Sequence, residues 1–172
     1  MKTLVKPLLP LLIAGLVLVG CSDDDKNDSA GASVAPTSFA TGITETQRQV
    51  LGESKSDRAP GQVVVLSRVV IPVGQELPPH THPGPQLAVI EQGTLTYTIY
   101  KGSVQVTHAA GMPDAKVETV NAGQTIDLKA GDSIIEQPGM EHRAQNKGDV
   151  PIIIYLSSLF PEGAPASSPA PQ

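Results

Sequence analysis

The chain has 172 residues, 40% hydrophobic but only 3% aromatic, and a formal net charge of −5. An acidic balance without a basic patch argues against nucleic acid or anionic lipid headgroups as partners. A single cysteine excludes an internal disulfide, and with no tryptophan the packing falls to Val, Ile and Leu. No P-loop, dinucleotide fingerprint, GxSxG elbow or HExxH helix is present.

At the N-terminus, Lys2 and Lys6 precede an apolar run from Leu8 to Val19, broken by Pro10. That run is too short and wrongly flanked for a transmembrane helix, and it reads as a signal peptide over residues 1–20. It leads into Leu18-Val19-Gly20-Cys21, which resembles the bacterial lipobox. The resemblance implies cleavage before Cys21 and a diacylglycerol on its sulfur, hence a membrane anchor and a place in the cell envelope. That place would be the outer membrane and periplasm of a Gram-negative host, or the outer face of a Gram-positive cell membrane. An ordinary secretory peptide with a chance cysteine is the alternative. Losing Lys2 and Lys6 leaves 10 of the 12 basic residues against 17 acidic ones, a charge of −7. Residues 21–44 are acidic and small, so they are expected to form a flexible tether.

Residues 45–161 are long enough for one domain with its own core. Glu45–Gly52 has a weak helical look. Thereafter short β-branched runs alternate with Gly, Pro, Asn and Asp, the pattern of strands and turns. The runs are Gln62–Val73, Leu87–Tyr100 (bent at Gly93), Val104–His108, Val117–Val120, Thr125–Leu128, Ser133–Glu136, Arg143–Gln145 and Ile152–Ser157. Many short strands with regular turns predict an all-β sandwich or barrel. Residues 162–172, rich in Pro, Ala and Ser, are expected to form a disordered tail.

Three of the four histidines fall in two clustered stretches. Along a strand, alternate residues share a face, so His80 and His82 point one way and Thr81 the other. Two imidazoles side by side, with a third from a distant strand, suit a divalent transition metal; a polar cavity without metal is the plainer alternative. His108 fits no such spacing and is expected at or near the surface. The first stretch is Gly74, His80, His82, Gln86 and Gly93, and the second is Gly131, Gly139, His142 and Asn146. With their spacings these closely resemble the two cupin motifs, although the family usually has glutamate where Gln86 stands and proline where Gln137 stands.

The resemblance spans roughly residues 60–160. It implies a cupin double-stranded β-helix, a jelly-roll barrel, with His80, His82, Gln86 and His142 converging on one divalent metal (Fe, Mn, Ni or Zn). A glutamine cannot compensate the ion's charge as glutamate would, nor act as a general base, and the alternative to ligation is that Gln86 stays off the metal and hydrogen-bonds a bound water or substrate oxygen. Gln86→Glu is therefore expected to tighten metal binding. Glu91 has outward parity, and Glu136 and Glu141 are expected to be solvated, near the pocket mouth at most.

Three functions remain open at this stage. The first is an exported, lipid-anchored cupin binding one metal and a small-molecule ligand. The second is a metal-dependent dioxygenase or isomerase acting on a small chelating substrate. The third is a metal-free structural or oligomeric cupin. Family members are often homodimers, so self-association is expected too.

Overall fold

The computed structural model describes residues 42–171. The signal peptide, Cys21 and nearly all of the tether lie outside the described residues. Within them the chain forms twelve β-strands and no α-helix.

Seven strands make the first sheet: β1 (Gln47–Lys55), β2 (Gln62–Ile71), β11 (Ile152–Pro161), β4 (Gln86–Gln92), β9 (Ser133–Glu136), β6 (Ser103–His108) and β7 (Lys116–Asn121), in that spatial order. Five make the second: β12 (Ser168–Pro169), β3 (Glu76–Thr81), β10 (Glu141–Asn146), β5 (Thr94–Lys101) and β8 (Thr125–Lys129). Every pairing is antiparallel. Sequence-distant strands become neighbours, as when β11 sits between β2 and β4, and this is the jelly-roll arrangement.

The core follows from period-two alternation. Ile152, Ile154, Leu156, Ser158 and Phe160 of β11 are buried, and the residues between them are less so. Leu95, Tyr97 and Ile99 of β5 pack with Val104 and Val106 of β6 and Ile134 of β9. The long run expected to bend at Gly93 splits there into β4 and β5, with φ at 82° and Ile152 only 3.0 Å from where a Cβ would stand. Asn146 ends β10 by bonding its own turn, accepting from Gly148 N, and also donates across to Ile71 O at 2.9 Å.

Two segments differ from expectation. Gln47–Lys55 is an edge strand and not helical; it is almost wholly exposed and pairs with β2 through a bulge between Val50 and Gly52. Its polar composition hides its periodicity, because the side chain it turns inward is Arg48, with Thr46 beside it just before the strand. The C-terminal stretch is no free tail. It doubles back so that Ser168 and Pro169 pair with Thr81 and His80, and Ala170 N donates to Pro79 O at 3.0 Å. Main-chain bonds hold it, and these leave no trace in composition.

Candidate metal centre

The expected histidines do meet. His142 and His80 are cross-strand partners on β10 and β3, and their ring centroids stand 4.2 Å apart. His82, just past β3, lies 5.0 Å from His80 and 5.2 Å from His142. One ligand atom from each of the three falls within 4.8 Å of the other two. His82 and His142 are buried and His80 is partly so.

The loop carrying His82 is held tightly. Gly84 sits so close to β11 that a Cβ would stand 2.1 Å from Leu159 O, and Leu159 N donates to Pro85 O. Phe160 stacks on His82 and Tyr97 on His142, at centroid distances of 6.1 and 5.0 Å.

Hydrogen bonds settle the tautomers of two rings. His80 Nδ1 lies 2.8 Å from Pro78 O, and His82 Nδ1 lies 2.7 Å from Ala166 O. A carbonyl only accepts, so both Nδ1 atoms carry a proton, and in the neutral ring that leaves the lone pair on Nε2. Backbone acceptors that orient imidazoles in this way are the usual outer support of metal-bound histidine. Burial holds His80 below its ordinary pKa, and it brings His142 down to about 4 against the opposing charge of Glu136. Neutral imidazole is the form that ligates. The donor set therefore fits a divalent transition metal.

Gln86 turns its amide nitrogen, not its oxygen, toward the histidines. Its place on β4 is opposite Ser158 of β11 on one side and Glu136 of β9 on the other. Ser158 Oγ donates to Gln86 Oε1 at 2.8 Å, and Gln86 Nε2 donates to Glu136 Oε2 at 2.8 Å. An ionised carboxylate only accepts, which forces the amide nitrogen toward Glu136 and the oxygen toward Ser158. The nitrogen is also the atom near His82 Nε2, at 3.1 Å. An amide NH2 has no lone pair to offer a metal, so Gln86 positions its neighbours instead.

Glu136, expected to be solvated, is 3% exposed and faces the histidines. Tyr97 Oη donates to Glu136 Oε1 at 2.7 Å. Its two oxygens stand 3.4 Å from His82 Nε2 and 3.3 Å from His142 Nε2. Burial opposes its ionisation, but the neighbouring histidines and the bonds from Tyr97 and Gln86 outweigh burial and hold the carboxyl below its ordinary range. Burial and the same carboxylate push the Tyr97 phenol well up, so it stays protonated. The negative charge missing at Gln86 thus stands one strand away. Strand parity was the available signal: Ile134 is an inward residue, and Glu136 follows two positions on.

Glu91 is exposed, as its parity requires. Glu141 lines the pocket, with Lys101 Nζ at 3.3 Å from its carboxylate. His108 lies outside the centre, partly exposed, between Glu118 at 2.8 Å and Asp132 at 3.2 Å. The hydrogen bond to Glu118, reinforced by Asp132, raises its pKa.

The histidines open into a cavity of about 830 Å³ between the sheets. Its wall is chiefly apolar, with Tyr97, Glu136 and Gln86 converging on the histidine side. Residues Ala166 to Pro171 of the C-terminal strap form part of its rim.

Residues 115–158 match the family model described as the cupin domain. A germin-like protein, 9-2, from rice (Oryza sativa subsp. japonica) is 30% identical over 112 residues, covering 64% of this chain. The chain spans 44% of that relative's length. A solved cupin superfamily protein from Desulfitobacterium hafniense is 19% identical, with 68% of this chain and 79% of that one covered and a TM-score of 0.45. A cupin 2 domain-containing protein from Halorhodospira halophila is 12% identical, with 74% and 71% covered and a TM-score of 0.49.

Proposed function

We propose that this cupin barrel holds one divalent transition metal on His80, His82 and His142 and takes a small-molecule ligand into the cavity beside it. The observation that carries this reading is the pair of Nδ1–H bonds to Pro78 O and Ala166 O, which leave two Nε2 lone pairs in the cluster. When bound, the ion would act as a Lewis acid toward a ligand oxygen. Glu136 would offset part of its charge from outside the three-nitrogen set, and Gln86 and Ser158 hold Glu136 in place. The domain would be tethered to the envelope through a lipid on Cys21, consistent with the lipobox-like stretch before it.

A second reading, a metal-dependent dioxygenase or isomerase, gains from one observation. A buried carboxylate sits beside a phenol that keeps its proton, so a group able to accept a proton lies at the histidine centre. Oxygen uptake with small diketones and phenols distinguishes it: turnover that Glu136→Gln abolishes while the metal stays bound makes the protein an enzyme.

Detergent-purified full-length protein tests the main reading in one preparation. Elemental analysis is expected to give about one divalent ion per chain, lost in His142→Ala, and intact mass is expected to show acylation at Cys21. A metal-free chain after growth in metal-replete medium refutes the centre, and an unmodified Cys21 refutes the anchor.

A further inference from the structure

Two polar side chains reach the cavity wall at the start of β1, Arg48 within the strand and Thr46 just before it. They are two residues apart and so share a face, and Arg48 stands opposite Val69, which lines the same cavity. Neither is satisfied within the described residues. Thr46 Oγ1 is buried without a hydrogen-bond partner. Arg48, half-buried, forms no hydrogen bond or ion pair with any described residue; the charge it senses is that of Glu136. Burial works against its ionisation and Glu136 works for it, and a guanidinium keeps its proton throughout the physiological range.

A buried hydroxyl such as Thr46 Oγ1, without a partner among the described residues, is costly unless something supplies one, and the half-buried Arg48 beside it offers a charged donor. The charges around the cavity say what the partner is. Glu136 is committed to Tyr97 and Gln86, and Glu141 is engaged by Lys101 at the rim. Arg48 and a divalent ion would leave the pocket with excess positive charge. The remaining wall, including Leu77, Ile90, Leu95 and Leu156, suits a carbon skeleton.

We propose that the cavity binds a small organic carboxylate, gripped at one end by the Arg48 guanidinium and the Thr46 hydroxyl and directed at the other toward the three histidines. A planar fork of N–H donors matches a carboxylate through two parallel bonds, and the threonine hydroxyl supplies a third donor. A tetrahedral phosphate would need more donors than one guanidinium and one hydroxyl provide. The second half of the assignment rests on the metal reading; the grip by Arg48 and Thr46 does not.

The test is calorimetric titration of the full-length chain, with and without zinc. The probes are benzoate, succinate and 2-oxoglutarate, with dimethyl succinate as the uncharged control and inorganic phosphate as the competing anion. At least one carboxylate is expected to bind saturably. Arg48→Gln is expected to weaken it by about tenfold or more, the loss of a charge-assisted contact, and Thr46→Val by about threefold. Zinc stoichiometry should be unchanged in both variants. Equal binding of the diester, a preference for phosphate, failure of all three carboxylates, or unaltered affinity in both variants overturns the proposal. Carboxylate binding that depends on Arg48 but persists in a chain unable to hold zinc removes the metal centre and leaves the grip standing. Zinc binding together with a carboxylate affinity that Arg48→Gln leaves unchanged does the reverse.

Discussion

Gln86 and Glu136 face each other across β4 and β9, and between them they hold one negative charge where the cupin motifs would place it on the first of the two. This reverses the effect expected of Gln86→Glu. The new carboxylate would lie where the amide nitrogen now sits, 2.8 Å from Glu136 Oε2, and two buried carboxylates cannot both ionise there. Gln86→Glu is expected to lose about 2–4 kcal/mol of stability and to weaken metal binding. Adding Glu136→Gln should restore both, because the swap returns one acid and one amide to the pair. Denaturant titration and chelator competition on the single and double variants check this; a double variant no better than the single one rules out the exchange. The histidines were legible because their two-residue spacing means the same thing in any strand. Glu136 was not, because an acid in a short strand is ordinarily solvated, and only the inward parity of Ile134 spoke against that.

At the scale of elements, the two misread segments are the two that meet the cavity through polar or small residues. Strand β1 was hidden because Arg48, with Thr46 just before the strand, stands where an apolar side chain would announce an inward face. The strap over residues 164–171 was hidden because its attachments are Ala166 O, Ala170 N and the two pairs of β12. The strands of the apolar core, β2 and β4 through β11, were legible through alternation and turn residues alone. The strap's carbonyl is what fixes the proton on His82 Nδ1. Ending the chain after Glu162 removes that acceptor and uncovers the pocket rim while leaving β11 intact. Metal affinity is expected to fall about 10- to 100-fold, as on loss of an outer-shell partner, with faster release to a chelator. Unchanged release would mean that the strap plays no part in orienting His82.

For the whole molecule, the buried histidines tie stability to acidity. His142 titrates near 4 in the fold against an ordinary 6.5, and His80 is shifted in the same direction. Between those two values the unfolded chain binds more protons than the folded one, so stability falls as pH drops. It is fully present above about pH 6.5. Glu136, held below its ordinary range, adds a further loss in stronger acid, while His82 and Tyr97 complete the set facing His142. Metal-free protein is expected to lose about 2–3 kcal/mol between pH 7 and pH 4.5, read from urea denaturation. A flat profile, or a gain toward acid, contradicts neutral burial of His142.

The row formed by Ser158, Gln86 and Glu136 has a consequence for how the chain finds its fold. Strands β11, β4 and β9 are otherwise lined with Ile, Leu, Ala and Phe on their inner face. A slip of two residues would preserve parity and trade one aliphatic contact for another at modest cost. The same slip would strand a serine, an amide and a carboxylate in a dry interior without their partners. The polar row is thus an alignment key. It rejects the neighbouring registers that the aliphatic core alone would tolerate, and the residues that hold charge at the histidine centre also fix where three strands stop sliding.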